Sequence, residues 1–160
     1  MVRRLQNGDR LARSAFIAKL LHAMALHILK LCVGVDDIDQ LRSLQGRRPK
    51  EQGAVRHFTR HRPRRADEIT AGGSIYWIIR GHIQVRQRIL AIEDAAHPDG
   101  KRCALVLESN LIPTEPQPRR PHQGWRYLES RDAPADLARG VSDDALPAPL
   151  VQKLKEIGAC

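Results

Sequence analysis

Aromatic side chains are scarce: two Trp, two Tyr and two Phe make up 4% of the 160 residues. A core of stacked rings is excluded, and Leu, Ile, Val and Ala must fill the interior. Cysteine is almost as rare. Cys32, Cys103 and Cys160 lie far apart and in no metal-like spacing, which excludes a disulfide framework and reads as a reduced, cytoplasmic chain. No glycine-rich phosphate loop is present, because Gly72-Gly73 is a lone pair with no phosphate-binding pattern behind it. No apolar run is long enough for a membrane anchor or signal peptide, since Lys19, His22, His27 and Lys30 interrupt the best candidate. Acidic residues are outnumbered, 18 against 27 Lys and Arg.

What is present is positive charge. The net charge is +9, and residues 42–65 alone hold nine basic side chains against one acid, Glu51. Such a surplus favours a polyanionic partner. Codon bias explains arginine over lysine, but not the excess of base over acid. The length suits one domain, able to bury about two-thirds of its unfolded surface.

Hydrophobic periodicity predicts the elements. Residues 1–23 are basic, then weakly apolar. They read as an N-terminal extension upstream of a start at Met24, with a short amphipathic helix or a basic arm as alternatives. Residues 25–34 are apolar on both faces, an interior strand closed by Gly34. Asp36 or Asp37 caps a helix presenting Ile38, Leu41 and Leu44. Residues 54–60 suit a short strand with Val55 and either His57 or Phe58 turned inward, and 66–71 a helical turn ended by Gly72-Gly73.

The densest β-branched run follows. In 74–80, Ile75, Trp77 and Ile79 share one face, and Tyr76, Ile78 and Arg80 share the other. Gly81 breaks the run, and alternation resumes with His82, Gln84, Arg86 and Arg88 outward. Parity shifts near Ile89, which predicts a bulge; a helix over 85–95 is the competing reading. His97-Pro98-Asp99-Gly100 turns the chain into a strand over 102–108. Pro113, Pro116, Pro118 and Pro121 make an extended connection. Residues 124–128 form the last strand, 129–147 a loop, and Pro149, Leu150, Leu154 and Ile157 a closing helix.

No motif announces a reaction. His57 and His61 have helical metal spacing without an acid between them, and Pro63 opposes a helix, so no metal or cofactor is expected. Ser74 opens a strand instead of sitting on a hydrolase elbow. The surviving signal is arginine interleaved with aromatics: Arg56, Arg60, Arg64 and Arg65 before the central strand, Tyr76, Arg80, Arg86 and Arg88 on its outer face, and Arg119, Arg120, Trp125, Arg126 and Tyr127 beyond. Guanidinium groups neutralise phosphates and flat side chains stack on exposed bases. Trp77 and Trp125 are expected in the core.

Residues 24–34, 64–68, 72–81, 86–89, 102–107 and 118–128 resemble an uncharacterised bacterial family of unknown function, DUF1489, from Met24 onward. The glycine, the Ile-Tyr-Trp-Ile-Ile strand, the turn glycine and the strand ending Arg-Ile-Leu-Ala-Ile-Glu look, more weakly, like the central hairpin of PUA-like (ASCH/EVE-type) barrels. That likeness implies an RNA-associated or modified-base-reading domain.

The expected fold is a single α+β domain over 24–160, with a curved, mostly antiparallel sheet of five or six strands and a few short helices. The expected function is RNA or other nucleic-acid binding, through one basic face built from residues 56–65, 80–88 and 119–127. The rivals are an enzyme acting on a phosphorylated or nucleotide small molecule, marked by a deep pocket of Arg, His57 and Glu or Asp, and a protein-interaction adaptor.

Overall fold

The computed structural model describes residues 3–48 and 53–137. Of the loop expected over 129–147, Glu129 ends a strand and Ser130–Asp132 make a 3-10 turn, while residues 138–147 and the helix expected at 149–157 lie outside the described residues. The elements run α1 (Arg3–Met24), β1 (Leu26–Leu31), α2 (Ile38–Gly46), β2 (Ala54–Thr59), α3 (Ala66–Thr70), β3 (Ser74–Ile79), β4 (His82–Asp94), β5 (Cys103–Glu108), β6 (Ile112–Pro118) and β7 (Trp125–Glu129). The fold is α+β. Seven strands form one mixed sheet in the order β2-β5-β4-β3-β1-β7, with β6 also paired to β4. β2 and β7 end that order unpaired with each other, so the sheet stays open where the PUA-like resemblance implies a barrel.

Local chemistry explains the elements. Asp37 is extended and its carboxylate accepts the Gln40 N–H at 2.7 Å, while the Gln40 side chain accepts the Asp36 N–H, closing the start of α2 on both sides. Arg80 and Gly81 both take positive φ, 49° and 79°. With Ile79 opposite His82 they form the tight two-residue turn that suits the twist of a hairpin. The bulge expected near Ile89 is present where the β4–β5 register shifts between Ile89 and Ala91, and the helical reading of 85–95 gives way to strand.

Three expectations are corrected. The proline segment is an additional strand, β6, lying along β4. Proline is tolerated there because the outer side of β6 is covered only by short contacts with residues 135–137, such as Glu115 N–H to the Ala135 carbonyl. In α2 the inward residue beside Leu41 is Gln45, and Leu44 is exposed. β3 is buried along its whole length, so the basic outer surface predicted for it does not form and Tyr76 is fully buried.

Two apolar clusters explain that burial. One face of the sheet, with Ile28, Ile75, Trp77 and Leu105, packs against Leu41 of α2 and Ile69 of α3. On the other, Leu29, Tyr76, Ile78, Ile83 and Leu128 pack together beside Ala133. Residues 3–24, expected as an extension, form a helix whose last turn reaches the second cluster: Tyr76 Oη lies 3.1 Å from His22 Nε2. Among the described residues no helix is long and apolar enough to cross a membrane.

Inside the first cluster a polar knot fixes register. Gln45 and Gln87 are buried and exchange two amide hydrogen bonds at 2.9 and 2.8 Å. Gln87 Oε1 also accepts Trp77 Nε1–H at 2.9 Å, and its amide donates to the Glu108 carbonyl. Every polar group in the knot is satisfied, which ties α2 to β4 and fixes the Trp77 ring.

Candidate functional site

Strand register builds the site. Lys30 on β1 is opposite Trp77 on β3 and Trp125 on β7, so three side chains that belong on one face of the sheet come together. On β2, His57 is turned the same way, and its ring meets Trp77 edge-on at 5.1 Å and 88°. These residues, with Arg48 from the end of α2, Arg60, His61 and Lys101, line a cavity of about 800 Å³ that contains no carboxylate side chain in its lining.

The indole nitrogens are committed elsewhere, Trp77 to Gln87 and Trp125 to the His61 carbonyl at 3.0 Å. Both rings are therefore held, Trp77 buried in the wall of the cavity and Trp125 half-buried at its mouth. Trp125 meets Tyr127 edge-on at 5.0 Å, and the Arg65 guanidinium lies over Tyr127 at 5.6 Å. An aromatic and cationic strip thus runs outward from the cavity along β7.

Electrostatics separate the groups. Burial, with Lys30, Arg48 and Lys101 nearby, pushes His57 down to about 3, so the imidazole is neutral. Its Nε2 is buried without a hydrogen-bond partner, an atom whose desolvation nothing in the protein offsets. Burial and then the charge of Lys101 lower Lys30, whose ammonium makes no hydrogen bond or ion pair among the described residues. Burial pushes the Cys32 thiol up to about 11 against the pull of Arg48 and Lys30. Cys32 is thus a thiol, not a thiolate nucleophile. Such a cavity suits a flat ring bearing negative charge.

The eleven residues singled out in the sequence do not form one face. Arg60 lines the cavity; Arg65 reaches its outer strip, paired to Glu68 and Glu129, and Arg64 is exposed beside it. Tyr76, Arg86 and Arg88 line a second cavity. Arg126, opposite Leu29, belongs to that other face of the sheet. Arg56 pairs with Glu93, and Arg80 sits in the hairpin turn near Asp36. Arg119 donates to Gln117 and to the Asp132 carbonyl, and Arg120 is exposed. Side-chain alternation and strand order divide them, so the continuous patch is corrected to a cavity with a cationic rim.

The family model for the protein of unknown function DUF1489 matches residues 28–160. The chain belongs to this family. Comparison of the DUF1489 chain with curated proteins and with solved structures gives no match.

Sequence reasoning missed Lys30, Arg48 and Lys101, and it placed Trp77 and Trp125 in the core, whereas both line the cavity. Lys30 left one signal: a lysine inside a strand apolar on both faces must emerge somewhere. Among the described residues no His, Cys, Asp and Glu group is arranged to hold a metal ion.

The second cavity of the DUF1489 domain, about 890 Å³, lies against α1 and residues 130–136. It holds a serine–histidine pair, Ser130 Oγ and His27 Nε2, at 3.0 Å. The pair cannot run as nucleophile and base. His27 Nδ1 accepts the Ser74 N–H at 3.0 Å, so the proton is on Nε2 and is given to Ser130. Ser130 in turn donates to the Ala25 carbonyl at 2.5 Å. Arg86 clamps Asp136 through two bonds of 2.6 and 2.8 Å. Burial pushes the Asp136 carboxyl up, but the Arg86 hydrogen bonds and charge outweigh it and the net shift is down. This cluster anchors the segment that ends the described chain.

Proposed function

We propose that this DUF1489 chain binds nucleic acid, with single-stranded RNA as the ligand, and that the cavity between β1, β2, β3 and β7 receives an unstacked base. The observation that carries the reading is the lining: Trp77, Trp125 and His57 as rings, three cations at Arg48, Arg60 and Lys101 around Lys30, and no carboxylate side chain. Aromatic faces stack on any base, and the cations neutralise the flanking phosphates. A volume near 800 Å³ is in the range of small-molecule and base-sized sites. The net charge of +9 favours the same class of partner. The absence of a lining carboxylate weighs against the rival enzyme, which needs Glu or Asp beside His57 for acid–base work.

Titration of single-stranded RNA against tryptophan fluorescence tests this. Trp125→Ala should weaken binding about 10- to 100-fold, the usual worth of one base stack. The affinity of the unmodified protein should fall steeply with salt. Arg64→Ala with Arg65→Ala should lower affinity with little change in unfolding temperature, both side chains being exposed. Equal affinity for Trp125→Ala and the parent, or binding indifferent to salt, overturns the reading. Capture of an acidic protein by a chain that fails to bind RNA at any salt concentration would instead identify the adaptor.

A further inference from the structure

We propose that Lys30 is an amine nucleophile which forms a Schiff base with an aldehyde that carries a phosphate group. The inference shares its cavity with the nucleic-acid reading and goes beyond it. Lys30 sits on an interior strand between Trp77 and Trp125 in register, in a cavity whose lining holds no carboxylate side chain. An ammonium placed there has neither water on all sides nor a counter-ion: it makes no ion pair among the described residues. Lysines in such settings, desolvated and next to other cations, give up their proton and become nucleophiles. The charged and titratable groups lining the cavity with it are Arg48, His57, Arg60, His61 and Lys101, with Cys32 just past the end of its strand. Lys101, whose charge repels that proton, lines the cavity with Arg48 and Arg60, and these three cations would hold the phosphate of the substrate. Burial and Lys101 lower Lys30 in the same sense.

The step is balanced without any redox partner. The Lys30 Nζ lone pair adds to the carbonyl carbon and the C=O π pair moves to oxygen. One proton passes from nitrogen to that oxygen to give a carbinolamine, and the second follows as the oxygen departs as water, leaving a neutral C=N bond to Nζ. Two sources supply such an aldehyde: the ring-opened sugar of an abasic nucleotide, and a free phosphorylated aldehyde.

Borohydride trapping reads both. The full chain is incubated with pyridoxal 5′-phosphate, and separately with an oligonucleotide holding one abasic site, then reduced and mapped by peptide mass spectrometry. Reduced adduct should appear at Lys30 about tenfold faster than at the other lysines at neutral pH, persist in Lys101→Arg and vanish in Lys30→Arg. Which probe reacts identifies the source. Adduct spread evenly over all lysines, or none at Lys30 with either probe, overturns the proposal, and this mapping on the unsubstituted chain decides even if Lys30→Arg does not fold. RNA binding is measured on the same preparations. Binding without a Lys30 adduct removes this proposal and keeps the reading above; adduct without binding does the reverse.

Discussion

Gly73→Ala is expected to destabilise the domain by about 3 kcal/mol or more, a fall of roughly 10 °C in unfolding temperature for a chain of this size. A Cβ at this position would overlap the backbone carbonyl oxygens of Leu26 and Ile69. Both are fixed, because Leu26 belongs to β1 and Ile69 accepts the Gly73 N–H at 2.6 Å. Rotamer changes cannot relieve a clash with main chain, so β1, α3 and β3 must separate at the edge of the main cluster. The Gly73 carbonyl also accepts the Ile89 N–H at 3.0 Å, which carries the strain into β4. Gly46→Ala is the control. Nothing lies within 4 Å of its added Cβ, and the position closes α2, so alanine should be neutral or stabilise by up to about 1 kcal/mol. Urea unfolding of the two variants checks both signs; equal midpoints would show that the approach of β1 to α3 is loose.

Gly72-Gly73 was visible in the sequence as the end of a helical turn, but not as the point where three elements meet. The same division runs through the molecule. β1 was legible because its two apolar faces leave it nowhere but the interior, and the Arg80-Gly81 turn because glycine marks positive φ. The Ile89 bulge was legible because a shift of parity needs one extra residue. What the sequence could not show depends on distant partners. Tyr76 alternates as an outward residue, yet Leu29 and Leu128, far away along the chain, close over it. β6 has four neighbouring prolines and still becomes a strand, because β4 offers an open edge. The arginines were read as one face from local alternation, whereas strand order sends Arg86 and Arg126 away from the side that holds Trp125. The candidate site was legible only in kind. Cations and aromatics were the right ingredients, but Lys30 and Trp77 meet because β1 and β3 are parallel neighbours, a pairing across a crossover of two helices and a strand.

Lowering the pH from about 7 to 5 is expected to cost the domain about 3 kcal/mol, a sizeable fraction of ordinary stability. His27 is the main source. It is fully buried, and burial, followed by the nearby His22 and Arg86, pushes it down to about 3. In the unfolded chain its value returns to about 6.5. Between those values the unfolded state binds a proton that the folded state refuses, so stability rises with pH through the window from 3 to 6.5 and falls as the solution is acidified. At pH 5 that single group accounts for about 2 kcal/mol. His57, also held near 3 by burial, acts in the same direction and supplies the remainder. Asp136 acts in the same direction only at the acid end: its depressed carboxyl stabilises the fold above the usual carboxylate value and ceases to as pH drops through the folded one. Urea unfolding at about pH 7 and 5 measures the difference, and His27→Gln assigns it. Glutamine preserves an acceptor for Ser74 and a donor for Ser130 but cannot titrate, so the variant should start less stable and lose about 2 kcal/mol less on acidification. An unchanged pH slope in that variant would mean that His27 takes up its proton in the folded protein, and then the tautomer that bars Ser130 from acting as a nucleophile would no longer be fixed.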